Sequence, residues 1–229
     1  MAKRPKTAAT KRPNGPIRDQ RRRELIEATI AVIAAHGYAG TTVARVAKEA
    51  HVSVGLMNFH FRSMDRLFAE TFRFIAAEFD AIWRELAACR PDEPPERRLW
   101  RMIEAYFDPR VFTERKVAVW FAFWSDANLR DRFRAAAMRV ERRYIRELEQ
   151  AVRETARGQG IAPAAATAMA DALTAAIDGL WLQFMLSPRR NDRAHALATC
   201  RGLLGQFFPA LRWKRKAPLS GQRSRSRRG

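Results

Sequence analysis

The sequence predicts an all-α protein with a small three-helix head, a linking helix and a five-helix body. Three observations carry this prediction. Apolar residues recur at helical spacing through most of the 229 residues, prolines and glycines fall between the periodic segments, and strand signals are scarce. Because 47% of the residues are apolar, the chain can bury a substantial core. We therefore expect about nine helices in a small N-terminal and a larger C-terminal unit.

The head is predicted from three short amphipathic segments. The first helix runs from about residue 19 to residue 36, and Gly37 stops it. Thr41 or Thr42 can cap the second helix, and Ser53 can cap a third that reaches about residue 60. The close spacing of these caps predicts two short helices joined by a tight turn.

The linking helix is predicted to begin behind Ser63. Its apolar residues continue from Leu67 to Leu86 at helical spacing. The segment Cys89–Pro95 contains three prolines, which interrupt helical structure. We therefore expect a break between the linking helix and the rest of the body.

Five further helices are predicted in the body, each bounded by proline or glycine. They span about residues 97–107, 113–127, 129–157, 163–186 and 192–208. Pro163 suits the first turn of its helix, because the φ angle of proline is preorganised there and its missing N–H costs nothing. The other boundaries are marked by Gly158 or Gly160, Pro188 and Pro209.

Most of the net charge of +19 lies at the two ends of the chain. Residues 1–23 carry nine basic residues and one acidic residue, and residues 212–229 carry eight basic residues and no acidic one. Both ends lack apolar periodicity, so we expect disordered basic tails at 1–16 and 210–229, flanking domains at 17–62 and 63–209. Such tails favour solubility and attract polyanions, and an arm that enters a DNA minor groove is the alternative.

Several classes of function are disfavoured by what the sequence lacks. It has no phosphate-binding glycine loop, no HExxH motif and no nucleophile elbow, and its four histidines are scattered. Cys89 and Cys200 do not have metal-ligating spacing, and so few cysteines fit a reducing cytosol. No secretory signal and no apolar run of membrane-spanning length is present. We expect a cytoplasmic protein that is not an enzyme and needs no metal, cofactor or membrane.

The second and third helices meet the packing demands of a helix-turn-helix unit. Ala47 is small enough for the point where the two helices cross. The turn requires a positive φ angle, which glycine adopts most easily, and His51 occupies that position. We expect Asn58 to face outward and Phe61 and Leu56 to lie in the core. The inside of the unit would be sealed by Val46, Ala50, Val52 and Met57.

Residues around this unit resemble the TetR family of bacterial repressors. The matching run comprises Gly37-Tyr38, Thr41 to Ala47, Val52 to Gly55, Phe59 to Ser63, and Leu67. The resemblance implies that double-stranded operator DNA is the partner. It implies phosphate contacts by Thr42, Ser53 and His60, and base contacts in the major groove by Val54, Gly55, Asn58 and Phe59. Positive charge nearby would come from Arg45, Lys48 and Arg62.

Three residues depart from the family pattern. His51 replaces the usual glycine of the turn, and His60 stands where most members have a tyrosine that contacts phosphate. Met64 stands where a lysine usually contacts phosphate. In our interpretation these changes weaken contacts to the DNA backbone, and the basic tails compensate for them as a hypothesis.

The body contains aromatic residues at high density, together with one carboxylate in an apolar helix. An unpaired carboxylate in such a helix is costly, unless a ligand uses it. A buried acid beside several tryptophans suits a small quaternary ammonium ion, held by cation–π contacts. The predicted effector site comprises Tyr106, Trp120, Phe123, Trp124, Asp178 and Trp181. The alternatives are a purely aromatic core and an ion pair between Asp178 and Arg101 or Arg139.

The same helices resemble the C-terminal domain of BetI-type regulators, a subgroup of the TetR family. The matching residues are Trp120 to Trp124, Ile177 to Leu182 and, near the start, Gln20 and Glu24 to Thr29. The resemblance implies repression of genes for choline uptake and glycine betaine synthesis, with release by choline. Two alternatives remain open: a TetR-type regulator of efflux or catabolism with another effector, and a protein that coats DNA without sequence preference.

The resemblance further implies a homodimer formed by the last two helices. The segment Ala164–Met185 is rich in alanine, and Gly179 permits close approach of a second helix. The ninth helix offers apolar residues at Leu197, Leu203, Leu204 and Phe207. Because one head reads too few base pairs for useful specificity, we expect a near-palindromic operator whose half-sites lie one or two helical turns apart.

Overall fold

The computed structural model of the protein describes residues 15–125, 127–211 and 213. Within these residues the chain forms nine helices and no strand, which confirms the predicted all-α fold. The helices are α1 (Gly15–His36), α2 (Val43–Glu49), α3 (Val54–His60), α4 (Met64–Leu86), α5 (Pro95–Tyr106), α6 (Glu114–Ser125), α7 (Ala127–Gly158), α8 (Pro163–Leu186) and α9 (Arg193–Phe207). Most of both predicted tails lies outside the described residues.

Side-chain caps begin four of these helices close to the predicted positions. The hydroxyl of Thr42 accepts a hydrogen bond from the Arg45 N–H at 3.3 Å, which opens α2. Equivalent bonds at the starts of α3, α4 and α9 are accepted by Ser53, Ser63 and Asp192. Each cap satisfies an N–H of the first turn that has no partner inside the helix, and this explains why the helices begin there.

Three helices, α1, α5 and α7, begin earlier than the sequence predicted, and two of them have a proline in the first turn. Helix α1 begins at Gly15, four residues before the expected start, and α5 begins at Pro95, two residues before. Both first turns contain a proline, Pro16 in α1 and Pro95 in α5, and proline is compatible with the first turn of a helix. The prediction had taken these prolines as parts of loops.

The turn between α2 and α3 depends on an unusual backbone conformation. His51 has φ +52°, which confirms the positive φ predicted at this position. The backbone N–H of His51 donates to the Lys48 carbonyl at 3.1 Å, and that of Val52 donates to the Ala47 carbonyl at 2.9 Å. The strained residue therefore lets the chain reverse without losing backbone hydrogen bonds.

Replacing His51 with glycine is expected to raise the free energy of unfolding by about 1 kcal/mol. Glycine removes the steric strain of the left-handed conformation, which exceeds the entropy that it adds to the unfolded chain. Chemical denaturation would measure this change. The matched control is Ala44→Gly in exposed α2, which is expected to lower stability by about 1 kcal/mol. A destabilised His51→Gly variant would contradict the role assigned to this turn.

Two apolar clusters divide the molecule, and α6 contributes to both. The head cluster joins α1, α3 and the first half of α4 through residues such as Leu25, Met57 and Phe72. The body cluster joins α4, α5, α7, α8 and α9. From α6, Val119 and Phe123 pack in the head cluster, whereas Trp120 contacts both clusters. Helix α6 therefore connects the head mechanically to the interior of the body.

Candidate functional site

The first candidate surface lies on the outward side of α2 and α3. Val46, Ala47 and Met57 are buried beneath it, and they hold the two helices together. Phe59 is 69% exposed, which is unusual for a phenylalanine in a soluble domain and indicates a binding surface. Seven of the eight residues predicted to contact DNA are exposed: Thr42, Arg45, Ser53, Val54, Gly55, Asn58 and Phe59.

The two predicted phosphate-binding hydroxyls serve as helix caps in the free protein. Thr42 accepts from the Arg45 N–H, and Ser53 accepts from the Leu56 N–H at 3.1 Å. A hydroxyl offers one O–H donor in addition to its acceptor lone pairs. Capping therefore leaves both hydroxyl protons available to donate to a phosphate oxygen, while it keeps the two oxygens in fixed positions.

The other residues of the head agree with the expectation only in part. Leu56 is 37% exposed, so its predicted place in the core was wrong; it lies on the outer surface of α3. Phe61 and Met57 are fully buried, as predicted. His60 is only 8% exposed, so it is the least accessible of the predicted DNA contacts. Its position one residue after Phe59 turns its ring away from the outward face and toward α1.

The second candidate site is a cavity of about 140 Å³ in the body. Helices α4 to α8 all contribute to its wall, which is predominantly aromatic. The lining includes Ile75, Phe79, Tyr106, Lys116, Trp120, Phe121, Trp124, Tyr144, Thr174, Ile177, Asp178 and Trp181. The rings touch one another around the cavity, with centroids 6.2 Å apart for Trp120 and Trp181 and 5.7 Å apart for Phe79 and Tyr106. Such a wall offers several π faces to one small ligand.

The structure brings together five of the six residues of the predicted effector site. These are Tyr106, Trp120, Trp124, Asp178 and Trp181. Phe123 does not line the cavity, because it turns to the opposite side of α6 and packs on Phe72 with ring centroids 4.8 Å apart. The aromatic face of α6 is thus split, and one part faces the cavity while the other faces the head.

Asp178 is the only carboxylate among the described residues that line the cavity. Within the described part of the chain it makes no ion pair, and Arg101 instead binds Glu93, with its Nε 2.8 Å from the Glu93 Oε1. The predicted alternative pairing of Asp178 with Arg101 was therefore wrong, and the Arg139 side chain lies outside the described ones. Asp178 is an exposed residue of α8, so its predicted burial was wrong. The apolar wall nevertheless removes part of the hydration of its carboxylate and raises its pKa.

Lys116 is the other charged residue of the wall, and it is already neutralised. Its Nζ lies 2.8 Å from the Glu78 Oε2 and donates to the Arg110 carbonyl at 2.7 Å. The net field inside the cavity is therefore that of the Asp178 carboxylate and the negative faces of the aromatic rings. This arrangement can attract a small cation and offers little to an anion.

A hydrogen-bond network connects the cavity wall to the linking helix. The Tyr144 hydroxyl donates to the Asp80 Oδ1 of α4 at 3.0 Å, and Arg143 and Arg84 also bind this carboxylate. Burial acts to raise the pKa of Asp80, but the hydrogen bonds from Arg143 and Tyr144 outweigh it and lower the pKa overall. Sequence reasoning missed Tyr144, because it lies alone among the charged residues of α7.

Other classes of site find no support in the part of the chain that the structure describes. No group of three or more histidine, cysteine, aspartate or glutamate residues there could hold a metal ion. Among the same residues, no helix combines the length and apolar character that crossing a membrane requires.

Comparisons with known proteins find relatives of both the head and the body. A family model described as "BetI-type transcriptional repressor, C-terminal" matches residues 95–209, and one described as "Bacterial regulatory proteins, tetR family" matches residues 25–71. The chain is 33% identical over 188 residues to the HTH-type transcriptional regulator BetI of Paraburkholderia xenovorans (strain LB400), covering 82% of this chain and 93% of that protein. It is 31% identical over 191 residues to BetI of Escherichia coli (strain K12), covering 82% and 94%.

Solved structures have the same fold. A putative transcriptional regulator from Pseudomonas aeruginosa PAO1 is 29% identical with a TM-score of 0.62, covering 84% of this chain and 92% of that one. A putative regulator from Saccharomonospora viridis, in complex with choline, is 22% identical with a TM-score of 0.64, covering 81% and 96%. With its helix-turn-helix head and its aromatic body, the chain belongs to the TetR family of transcriptional regulators and carries a BetI-type C-terminal domain.

Proposed function

We propose that the protein is a dimeric repressor that binds a near-palindromic operator and leaves it when choline enters the body cavity. The genes under its control would be those for choline uptake and glycine betaine synthesis. The observation that carries this proposal is the cavity with aromatic walls, in which Asp178 is the one carboxylate among the described lining residues. A quaternary ammonium ion has no N–H to donate, so it is recognised by π faces and one negative charge, which this wall provides.

The names of relatives support the same ligand. The curated relatives of Paraburkholderia xenovorans and Escherichia coli are both named BetI, and the Saccharomonospora viridis regulator was solved in complex with choline. The match with each of the first two relatives spans more than nine-tenths of that relative's length. A TetR-type regulator with another effector would share the fold but would not need a carboxylate among tryptophans.

We infer that ligand binding reaches DNA through α4 and α6. The cavity is lined by Phe79 of α4 and Trp120 of α6, and α6 carries Phe123 into the head cluster. Tyr144 borders the ligand space and holds Asp80 of α4. A ligand that shifts these helices would favour a spacing of the two heads that no longer fits the operator.

An operator-release assay tests the proposal as a whole. Labelled operator DNA bound by the purified protein is titrated with choline, and the bound fraction is followed by fluorescence anisotropy. Release by choline, with no release by glycine betaine at equal ionic strength, is the expected result. Specific operator binding that persists at saturating choline would point to a regulator with another effector, and binding without sequence preference would point to a DNA-coating protein.

The affinity for choline is expected to fall as the pH is lowered. The cation needs the ionised form of Asp178, and desolvation raises the pKa of this carboxyl. The choline affinity is therefore highest above the pKa of Asp178 and falls below it. The steepest fall expected is about tenfold per pH unit. Calorimetric titrations between about pH 8 and pH 4 would measure this trend. A pH-independent affinity would contradict a direct role of Asp178.

We infer a dimer interface on the outer faces of α8 and α9. Leu182 and Leu186 are exposed large apolar residues on α8, at 41% and 69%. A Cβ added at Gly179 of α8 or at Gly202 of α9 would meet no atom within 4 Å in the isolated chain. Packing within one chain therefore does not require glycine at these two positions. A helix of a second chain that approaches closely would require it.

Replacing Gly202 with leucine is expected to weaken the dimer by tenfold or more while it stabilises the single chain. The added side chain meets open space within the chain and improves helix propensity by about 1 kcal/mol, but it would overpack a close helix contact by about 1–3 kcal/mol. Sedimentation velocity across a dilution series measures the dimer. The control is Gly158→Leu at the end of α7, which is equally open. An unchanged dimer in Gly202→Leu would place the interface elsewhere.

A further inference from the structure

A second cleft opens in the head, between the start of α1 and the junction of α3 with α4. Its lining contains four arginines and no carboxylate: Arg18, Arg22, Arg62 and Arg66. Asn58 and Phe59 also border it, and both belong to the outward surface of α3. Positive charge from three separate segments of the chain therefore converges beside the surface that would read DNA bases.

One of the four arginines has a structural role. Arg22 donates to the His60 carbonyl at 3.2 Å, lies 3.5 Å from the Glu70 carboxylate and stacks over the Phe61 ring at 4.7 Å. By contrast, the side chains of Arg18, Arg62 and Arg66 make no ion pair with any other residue that the structure describes. Three guanidinium groups around one cleft, none of them in an ion pair with a described residue, are an arrangement that an oxyanion would stabilise.

His60 forms part of the same cleft and carries an unsatisfied polar atom. Its ring is more than nine-tenths buried, and its Nδ1 has no hydrogen-bond partner among the described residues. A buried polar atom without a partner costs free energy in the unbound protein. Burial and the charges of Arg18, Arg22 and Arg21 lower the pKa of His60, which keeps the ring neutral in the free state.

We propose that this cleft holds one backbone phosphate of the operator, bound by Arg18, Arg62 and Arg66, and that His60 takes up a proton as the phosphate enters. The inference rests on the proposed DNA-binding function and adds to it a site and a linked protonation. The position fits, because an anion beside Asn58 and Phe59 would lie at the edge of the groove that α3 enters. The phosphate would position the head and would not read sequence.

The direction of the proton linkage follows from charge. The phosphate offsets the field of the arginines, so the pKa of His60 is higher in the complex than in the free protein. The gain in operator affinity is complete below the pKa that His60 has in the free protein. It is lost as the pH rises through the pKa that His60 has in the complex. The groups that face His60 are Arg18, Arg21 and Arg22 of α1, Arg62 of the junction, and Arg66 and Glu70 of α4. The arginines stay charged between about pH 5 and 8, and among the groups that face His60 no other has an ordinary side-chain pKa in this range, so His60 is the group that we expect to titrate.

The test uses the full chain and measures operator affinity against salt and against pH. Arg18→Gln and Arg66→Gln are expected to reduce the slope of log affinity against log salt by about one each, and to weaken binding to operator and unrelated DNA by the same factor. Arg153→Gln removes one exposed charge from α7, no described residue of which lines the cleft, and is expected to keep the slope. His60→Gln is expected to flatten the rise in affinity that the wild type gains toward low pH.

Three results would overturn the proposal while leaving the proposed function intact. The wild type would bind operator specifically, yet Arg18→Gln and Arg66→Gln would keep the wild-type salt slope. The pH dependence would survive in His60→Gln, with its fold verified by circular dichroism. Finally, the NMR signals of the His60 ring would show that it is protonated when inorganic phosphate binds and is not protonated when operator DNA binds. That result would make free phosphate the ligand of the cleft. Absence of any specific operator binding by the wild type would instead contradict the proposed function itself.

Discussion

Asp178→Asn is expected to weaken choline binding roughly 30-fold, with little effect on the fold. A unit charge about 5 Å from the carboxylate contributes about 3 kcal/mol at an effective dielectric constant near 20, and the partial exposure of Asp178 reduces this to about 2 kcal/mol. Asparagine keeps the size of the side chain and removes its charge. Because Asp178 makes no ion pair with a described residue, its loss leaves none of the described charges unpaired.

The control for this variant is the ligand rather than a second mutation. Dimethylbutanol, the uncharged carbon isostere of choline, has nearly the same shape and lacks the positive charge. The wild type is expected to prefer choline strongly, and Asp178→Asn is expected to bind the two compounds with similar affinity. Calorimetry of both ligands on both proteins completes the cycle. Equal discrimination by the two proteins would show that the carboxylate does not sense the ligand charge.

Phe59→Ala is expected to lower operator affinity by about 30- to 1,000-fold. The ring is 69% exposed in the free protein, so most of its surface is available for burial against a base edge such as a thymine methyl. Burial of this ring would contribute about 1–2 kcal/mol per half-site, and a dimer on two half-sites would lose this contribution twice. Anisotropy titrations with operator DNA would measure the loss.

Two further measurements separate readout from folding. Truncation of an exposed side chain changes stability by less than about 0.5 kcal/mol, so the thermal unfolding midpoint of Phe59→Ala is expected to stay near that of the wild type. Its affinity for unrelated DNA is expected to change little, because that binding depends on phosphate contacts. If both DNAs lost affinity equally, Phe59 would have no role in sequence recognition.

The architecture could be predicted because its signals are local. Thr42, Ser53, Ser63 and Asp192 cap helices through bonds to residues three positions ahead, so their effect is visible in the sequence alone. The positive φ of His51 could also be inferred from the spacing of the two helices around the turn. Helical periodicity and caps together sufficed for the order of all nine described helices.

The candidate site could be predicted only in part, because direction around a helix depends on the neighbours that pack there. By their spacing Trp120, Phe123 and Trp124 share one face of α6. In the structure, however, Phe123 packs in the head cluster, whereas the two tryptophans line the cavity. Likewise, Leu56 looked like a core residue by composition, but its side chain is 37% exposed, so none of the described helices covers it fully. Contacts between distant segments, such as that of Tyr144 with Asp80, leave no periodic signal in the sequence.

The most direct test of the central claim is a titration of the purified protein with choline, followed by tryptophan fluorescence. Trp120, Trp124 and Trp181 line the cavity, so a bound cation is expected to change their emission saturably between micromolar and millimolar choline. Dimethylbutanol at the same concentrations is expected to give a much weaker response, and Trp181→Ala is expected to reduce the change with choline. No fluorescence change at high choline, or equal responses to the two compounds, would contradict a cation site in this cavity.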